Sequence, residues 1–138
     1  MESAVAAPMD IPRLLSQPGT SVAMIGATDH PSKYGNIIYK DLRSKGFKVF
    51  AVNPYRDTVE GDPCWRSVRD LPEAPTIVDF VVPPKRTIEV LADCLETGYK
   101  NVWVQPGAEN DEVLAFLEEN GFNYLANACI MVQAQTSA

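Results

Sequence analysis

Apolar residues fall in short blocks along this chain, and the spacing within the blocks changes from one to the next. Residues 22–25, 48–52, 77–82 and 101–105 are brief, largely apolar runs of the length and content of strands covered on both faces. Residues 123–126 predict a fifth, shorter strand. Between these runs the apolar positions recur at helical spacing. Ile38 and Leu42 share a face within 36–45, Ile88, Leu91, Ala92 and Leu95 within 85–97, and Val113, Phe116 and Leu117 follow Asn110, a capping residue. A short helix is expected from Asp10 to about Ser16, with Pro12 in its first turn and Ile11, Leu14 and Leu15 facing inward. A turn-rich passage through Gly61 and Pro63 leads to one or two helical turns over 67–71. Residues 1–9 read as a loose tail of small residues, leaving a single domain over 10–138.

Three predicted helices end alike, on Gly46-Phe47, Gly98-Tyr99 and Gly121-Phe122. Each pairs a glycine able to adopt positive φ with an aromatic that closes over the helix end. Strands alternating with helices in this way predict βαβ units with right-handed crossovers. The fold class is therefore α/β: a Rossmann-like, doubly wound parallel sheet in three layers.

In such a sheet a ligand binds outside the carboxyl ends of the strands, beside the first strand. The informative residues are then the strand exits Gly26-Ala27-Thr28, Asn53-Pro54, Val82-Pro83-Pro84 and Gln105-Pro106-Gly107. Three of the four carry proline directly after the strand. Proline fixes φ and holds its predecessor extended, so these walls are stiff before any ligand arrives, and less loop entropy is lost on binding. The first exit leads through small and polar residues to a helix expected from Asn36. A strand, a glycine turn and a helix N-terminus in that order make a place to hold phosphate. On this reading Gly26→Val obstructs the loop and spares the fold.

Charge narrows the ligand. The chain carries a formal net charge of −6, which disfavours non-specific binding to nucleic acid or an anionic membrane. No apolar stretch approaches the roughly 18–20 residues of a membrane span, and the N-terminus lacks the pattern of a signal peptide, so a cytoplasmic location is expected. Three scattered cysteines, Cys64, Cys94 and Cys129, with the single His30, give neither a disulfide framework nor metal-ligand spacing. Yet Lys33, Arg56, Lys85 and Arg86 all follow strand exits, a positive mouth on a negative body. The dinucleotide fingerprint fits poorly, because Gly26 and Gly35 stand nine positions apart with Pro31 between them. After the second strand, where an NAD site wants Asp or Glu, stand Asn53 and then Arg56. A cation there suits a phosphorylated ribose, as in NADP or coenzyme A. Three or four charge-assisted hydrogen bonds at ~1.5–3 kcal/mol each are enough for micromolar binding after association costs.

The run Val22-Ala-Met-Ile-Gly-Ala-Thr with Lys33-Tyr34-Gly35, then Val52-Asn53-Pro54, Val81-Val82-Pro83 and Val102-Trp103-Val104-Gln105-Pro106-Gly107-Ala108, resembles the small stand-alone CoA-binding domain proteins. These are related to the N-terminal domain of the succinyl-CoA synthetase alpha chain, and the similarity covers about residues 10–132. The resemblance implies a Rossmann-like domain binding coenzyme A or an acyl-CoA across the strand exits. By position, Gly26, Ala27, Thr28, Lys33, Tyr34 and Gly35 would cradle the phosphates. Asn53, Pro54, Tyr55 and Arg56 would line the adenosine and 3′-phosphate side. Val82, Pro83 and Pro84 would form a wall, and Gln105, Pro106 and Gly107 would sit toward the pantetheine. The second domain of the synthetase, with its phosphohistidine, has no counterpart in this sequence, and His30 falls in the phosphate loop instead. Ligase activity therefore does not carry over.

No catalytic group is assigned. His30 beside Asp29 reads as part of a binding loop, and no Ser/His/Asp set or carboxylate pair stands out. Cys129, after the last strand, is expected to be a buried structural thiol, the alternatives being an acyl acceptor or a mixed disulfide with CoA. The expected function is non-catalytic or regulatory binding of a small nucleotide ligand. An NADP-dependent oxidoreductase fragment and a ligand-free protein-interaction scaffold are the alternatives; a protein partner or a homo-oligomer is left open.

Overall fold

In the computed structural model, which describes residues 11–135, a short helix α1 (Ile11–Leu14) leads into β1 (Ser21–Ile25), α2 (Tyr34–Ser44) and β2 (Lys48–Val52). A hairpin of β3 (Thr58–Val59) and β4 (Asp62–Trp65) follows, then a 3-10 turn at Val68–Asp70. The chain continues through β5 (Ile77–Phe80), α3 (Pro84–Thr97), β6 (Asn101–Val104), α4 (Asp111–Glu119), β7 (Asn123–Ala126) and α5 (Ile130–Gln133). Among the described residues the strands form one seven-stranded sheet in the order β3-β4-β2-β1-β5-β6-β7. The domain is the expected Rossmann-like α/β fold.

Burial follows from the pleat. All five residues of β1 are buried, as a central strand covered on both sides requires. Val22 and Met24 join one core with Ile38, Leu42, Trp103 and Ile130, under α1, α2 and α5. Ala23 and Ile25 point to the other, with Phe80, Leu91, Val113 and Leu117, under α3 and α4. At all three Gly-aromatic helix exits the aromatic N–H reaches back five residues: Phe47 donates to the Leu42 carbonyl, Tyr99 to Cys94 and Phe122 to Leu117. These are Schellman closures, with Gly46, Gly98 and Gly121 at φ of 91°, 86° and 70°. Asn110 caps α4, its side-chain oxygen accepting from the Val113 N–H at 2.8 Å.

The sheet is not wholly parallel, contrary to expectation. β3 runs antiparallel to β4, while every other pairing is parallel. The passage through Gly61 and Pro63 is this hairpin, whose strands are too short to show a period. Its two-residue turn, Glu60-Gly61, has φ of 52° and 79°, as a type I′ turn requires, but with Glu where Asn or Asp is the usual signal. Other boundaries shift less. α2 starts at Tyr34 and not Asn36, β5 stops at Phe80, α3 starts on Pro84, and α5 had no periodic signature in its four residues. The tail over 1–9 and the cap at Asp10 lie outside the described residues.

The position of the site follows from the strand order. The chain leaves β1 toward β2 on one side and later returns to β5 on the other, so β1 and β5 flank the switch point. Their exits part above it and leave a crevice.

Candidate functional site at the carboxyl rim

Gly26 ends β1 at φ 98°, and two close approaches depend on it and on Gly35. A Cβ on Gly26 would lie 2.6 Å from the Val81 carbonyl oxygen and 2.8 Å from Val82 Cγ1. A Cβ on Gly35 would lie 2.0 Å from the Gly26 carbonyl oxygen. The two glycines thus let the exits of β1 and β5 and the first turn of α2 meet backbone to backbone. Gly26→Val would strike main-chain atoms at positive φ, so the expectation that it spares the fold is corrected.

The loop between β1 and α2 is held from outside by the hairpin. Asp29 accepts from the Glu60 N–H at 2.5 Å, Asn36 Nδ2 donates to Glu60 Oε2 and to the Thr28 carbonyl, both at 2.8 Å, and Tyr39 donates to Asp62 at 2.9 Å. On the other flank, Asn53 Nδ2 donates to the Ala27 carbonyl at 2.9 Å. These bonds keep the loop open over the N-terminus of α2, where Lys33 stands as N-cap without a side-chain cap bond. The first two helical N–H groups, of Tyr34 and Gly35, donate to no acceptor among the described residues. Free N–H groups at the positive end of a helix dipole suit an anion.

Three hollows join along the rim. The main one, about 540 Å³, is walled by Gly26, Thr28, Lys33, Tyr34, Gly35 and Arg56 on one side and by Val82, Pro83, Pro84, Pro106 and Gly107 on the other. His30, Val81 and Ala108 complete it. A second, about 360 Å³, shares Gly26, Val82 and Pro83 with the first and adds Asn53, Pro54 and Tyr55, with Arg86 and Glu89 of α3. A third, about 200 Å³, branches off behind Tyr34, Val81 and Pro106 and is closed by Ile38, Gln105 and Cys129. Of the sixteen residues picked from the sequence, only Ala27 lines none of the three; it is fully buried. Arg56 is on the main hollow and not with Asn53, Pro54 and Tyr55, where its neighbourhood in sequence suggested.

The positive mouth is more nearly balanced than the sequence suggests. Arg56 pairs with Asp29 at 3.1 Å and Arg86 with Glu89 at 2.9 Å, all partly exposed. Lys85 lines none of the three hollows. Lys33 forms no ion pair among the described residues.

Below the rim lies a buried ionisable group that sequence reading missed. Asp79, at the centre of β5, is fully buried; it accepts from Gln105 Nε2 at 2.7 Å, and its Oδ2 has no partner. Burial pushes its carboxyl up to about 7, partly opposed by the Gln105 hydrogen bond. An acidic residue in an apolar run gave the only hint. Cys129 also departs from expectation, since the residue is half-buried and lines the third hollow instead of being sealed in the core. Cys94 is buried, which raises its thiol to about 12, and burial also raises Cys64. Among the described residues, no helix is long and apolar enough to cross a membrane.

Comparison with known proteins places the fold and the family. The curated acetate–CoA ligase (ADP-forming) I of Archaeoglobus fulgidus is 29% identical over 119 residues, covering 79% of this chain and 17% of its own. The chain thus spans less than a fifth of that ligase. Among solved structures, a conserved hypothetical protein from Pyrococcus furiosus matches with TM-score 0.80 at 50% identity, over 83% of this chain and 98% of its own. A hypothetical protein from Pyrococcus horikoshii OT3 matches with TM-score 0.81 at 32% identity, over 96% of each. The family model described as CoA binding domain matches residues 20–135, a span that takes in every strand and all three hollows. The chain belongs to the CoA binding domain family and is related to the corresponding domain of ADP-forming acyl-CoA ligases.

Proposed function

We propose that this protein binds coenzyme A or an acyl-CoA along the carboxyl rim, without catalysing a reaction on it. One observation carries the reading: Gly26, Arg56 and Pro83 wall a single hollow into which Lys33 and the free N–H groups of Tyr34 and Gly35 also open. The pyrophosphate lies over those N–H groups, where the helix dipole and Lys33 meet its charge. The adenosine lies along Asn53, Pro54 and Tyr55; Tyr55 is 91% exposed, leaving its ring face free to stack. Arg56, on the main hollow, takes the 3′-phosphate by exchanging its Asp29 partner for a more highly charged one. The pantetheine arm runs between Pro106 and Gly107 toward Gln105. The side chains around the main hollow provide binding groups and stiff walls, and the exposed Ser32 Oγ that meets His30 Nδ1 at 2.9 Å does not itself line the hollow.

Calorimetry with CoA, dephospho-CoA, NADP and NAD tests this. CoA should bind most tightly. Arg56→Ala should weaken CoA about ten- to a hundredfold, from the loss of one charge-assisted bond, and leave dephospho-CoA nearly unaffected. Equal losses for both would remove Arg56 from the 3′-phosphate. Preference for NADP would favour an oxidoreductase, and binding of none of the four would favour a scaffold.

A further inference from the structure

The third hollow does not fit a site built only to hold phosphates. It is a side branch of the main hollow, sharing Tyr34, Val81 and Pro106 with it, and its remaining walls are Ile38, Gln105 and Cys129. None of the six is charged, so the branch suits an uncharged part of a ligand whose phosphates lie outside. Gln105 is 3% exposed. Its Nε2 is occupied by Asp79, while its Oε1 accepts no hydrogen bond among the described residues. That oxygen is not among the fully buried atoms that lack a partner, so it opens to the hollow, where something can supply a donor. A ligand arm with amide N–H groups does so. The group that then lies deepest meets Cys129.

We infer that Cys129 exchanges with the disulfide form of the ligand's thiol, so that an oxidised CoA is captured as a mixed disulfide in this hollow. The inference rests on the reading of the rim as a CoA site. The chemistry balances without a further oxidant. Cys129 gives up its proton to solvent, and its Sγ attacks one sulfur of the incoming disulfide. The new Cys129–CoA S–S bond forms as the old one breaks, and the departing thiolate takes up a proton. One disulfide is consumed and one is made. The other two cysteines are internal controls: Cys94 is sealed in the core, Cys64 directs its thiol at the Asn53 and Trp65 carbonyls, and neither lines any of the three hollows.

The test is intact-mass measurement after mixing the whole chain with CoA disulfide or with glutathione disulfide at equal concentration. The expected result is one CoA adduct per chain, reversed by dithiothreitol, mapped to Cys129 by peptide analysis and absent in Cys129→Ser. It should form at least tenfold faster than the glutathione adduct, because the rim concentrates the CoA disulfide beside the thiol. Equal rates for the two disulfides, or an adduct on Cys64, would overturn the inference. Calorimetry of the wild-type chain with CoA under reducing conditions separates the two levels. CoA binding there without a selective adduct removes only the exchange; absence of CoA binding removes the reading beneath it.

Discussion

Asp79 is the residue whose environment departs furthest from what its type prefers. A carboxyl in the middle of a central strand, with one oxygen unpartnered, is held neutral at the lower end of the physiological range. The sign of its effect on stability follows from linkage. The folded carboxyl titrates near 7 and the unfolded one near its ordinary value of about 4, so between the two the folded state holds the extra proton. Its contribution is fully present below about pH 4 and is lost as pH rises through about 7. The difference corresponds to at most about 4 kcal/mol. Asp79→Asn keeps an acceptor for Gln105 and cannot ionise. The fall in melting temperature between pH 5 and pH 8 should therefore be clearly smaller in this variant than in the wild type, and the same fall in both would show that Asp79 does not titrate in that range. Little of this was legible beforehand. Asp79 was absorbed into an apolar run, whereas Gln105, Pro106 and Gly107 could be chosen because they follow a strand.

At the scale of elements, the glycines divide into two kinds that the sequence presents identically. Gly98 closes α3 at φ 86° with nothing near the position of a Cβ, so it answers only to the backbone. Gly35 sits in the first turn of α2, where a Cβ would meet the Gly26 carbonyl. Gly98→Ala should cost about 1 kcal/mol through its left-handed conformation and leave CoA affinity unchanged. Gly35→Ala should lower both the melting temperature and CoA affinity, since α2 must move off the β1 exit. Denaturant titration beside calorimetry distinguishes them, and unchanged affinity in Gly35→Ala would contradict the placement of the phosphates. The Gly-aromatic exits were readable because a helix end is a local event. The β3–β4 hairpin was not, because its stability comes from β2 and from the bonds of Glu60 and Asp62 to the β1–α2 loop and α2.

For the whole molecule, a net charge of −6 surrounds a rim that gathers Lys33, Arg56 and Arg86. Two of these bring their own carboxylates, so the attraction for a polyphosphate is local and short in range. Raising ionic strength from about 0.05 to 0.5 M shortens the screening length from above 10 Å to below it, and CoA affinity should fall several-fold while melting temperature changes little. Affinity indifferent to salt would mean that the phosphates are not held by these cations. The sequence by itself determined the order of five strands and of the helices between them, the ends of most helices and many of the residues at the rim, because each of these is written in spacing, caps and turn chemistry within a few neighbours. Only the tertiary structure decided that Arg56 faces Asp29, that Asp79 is buried against Gln105, and that Cys129 lines a hollow reached from the rim. Those are meetings of residues some 25 or more positions apart, and their strength depends on burial, which no local pattern records.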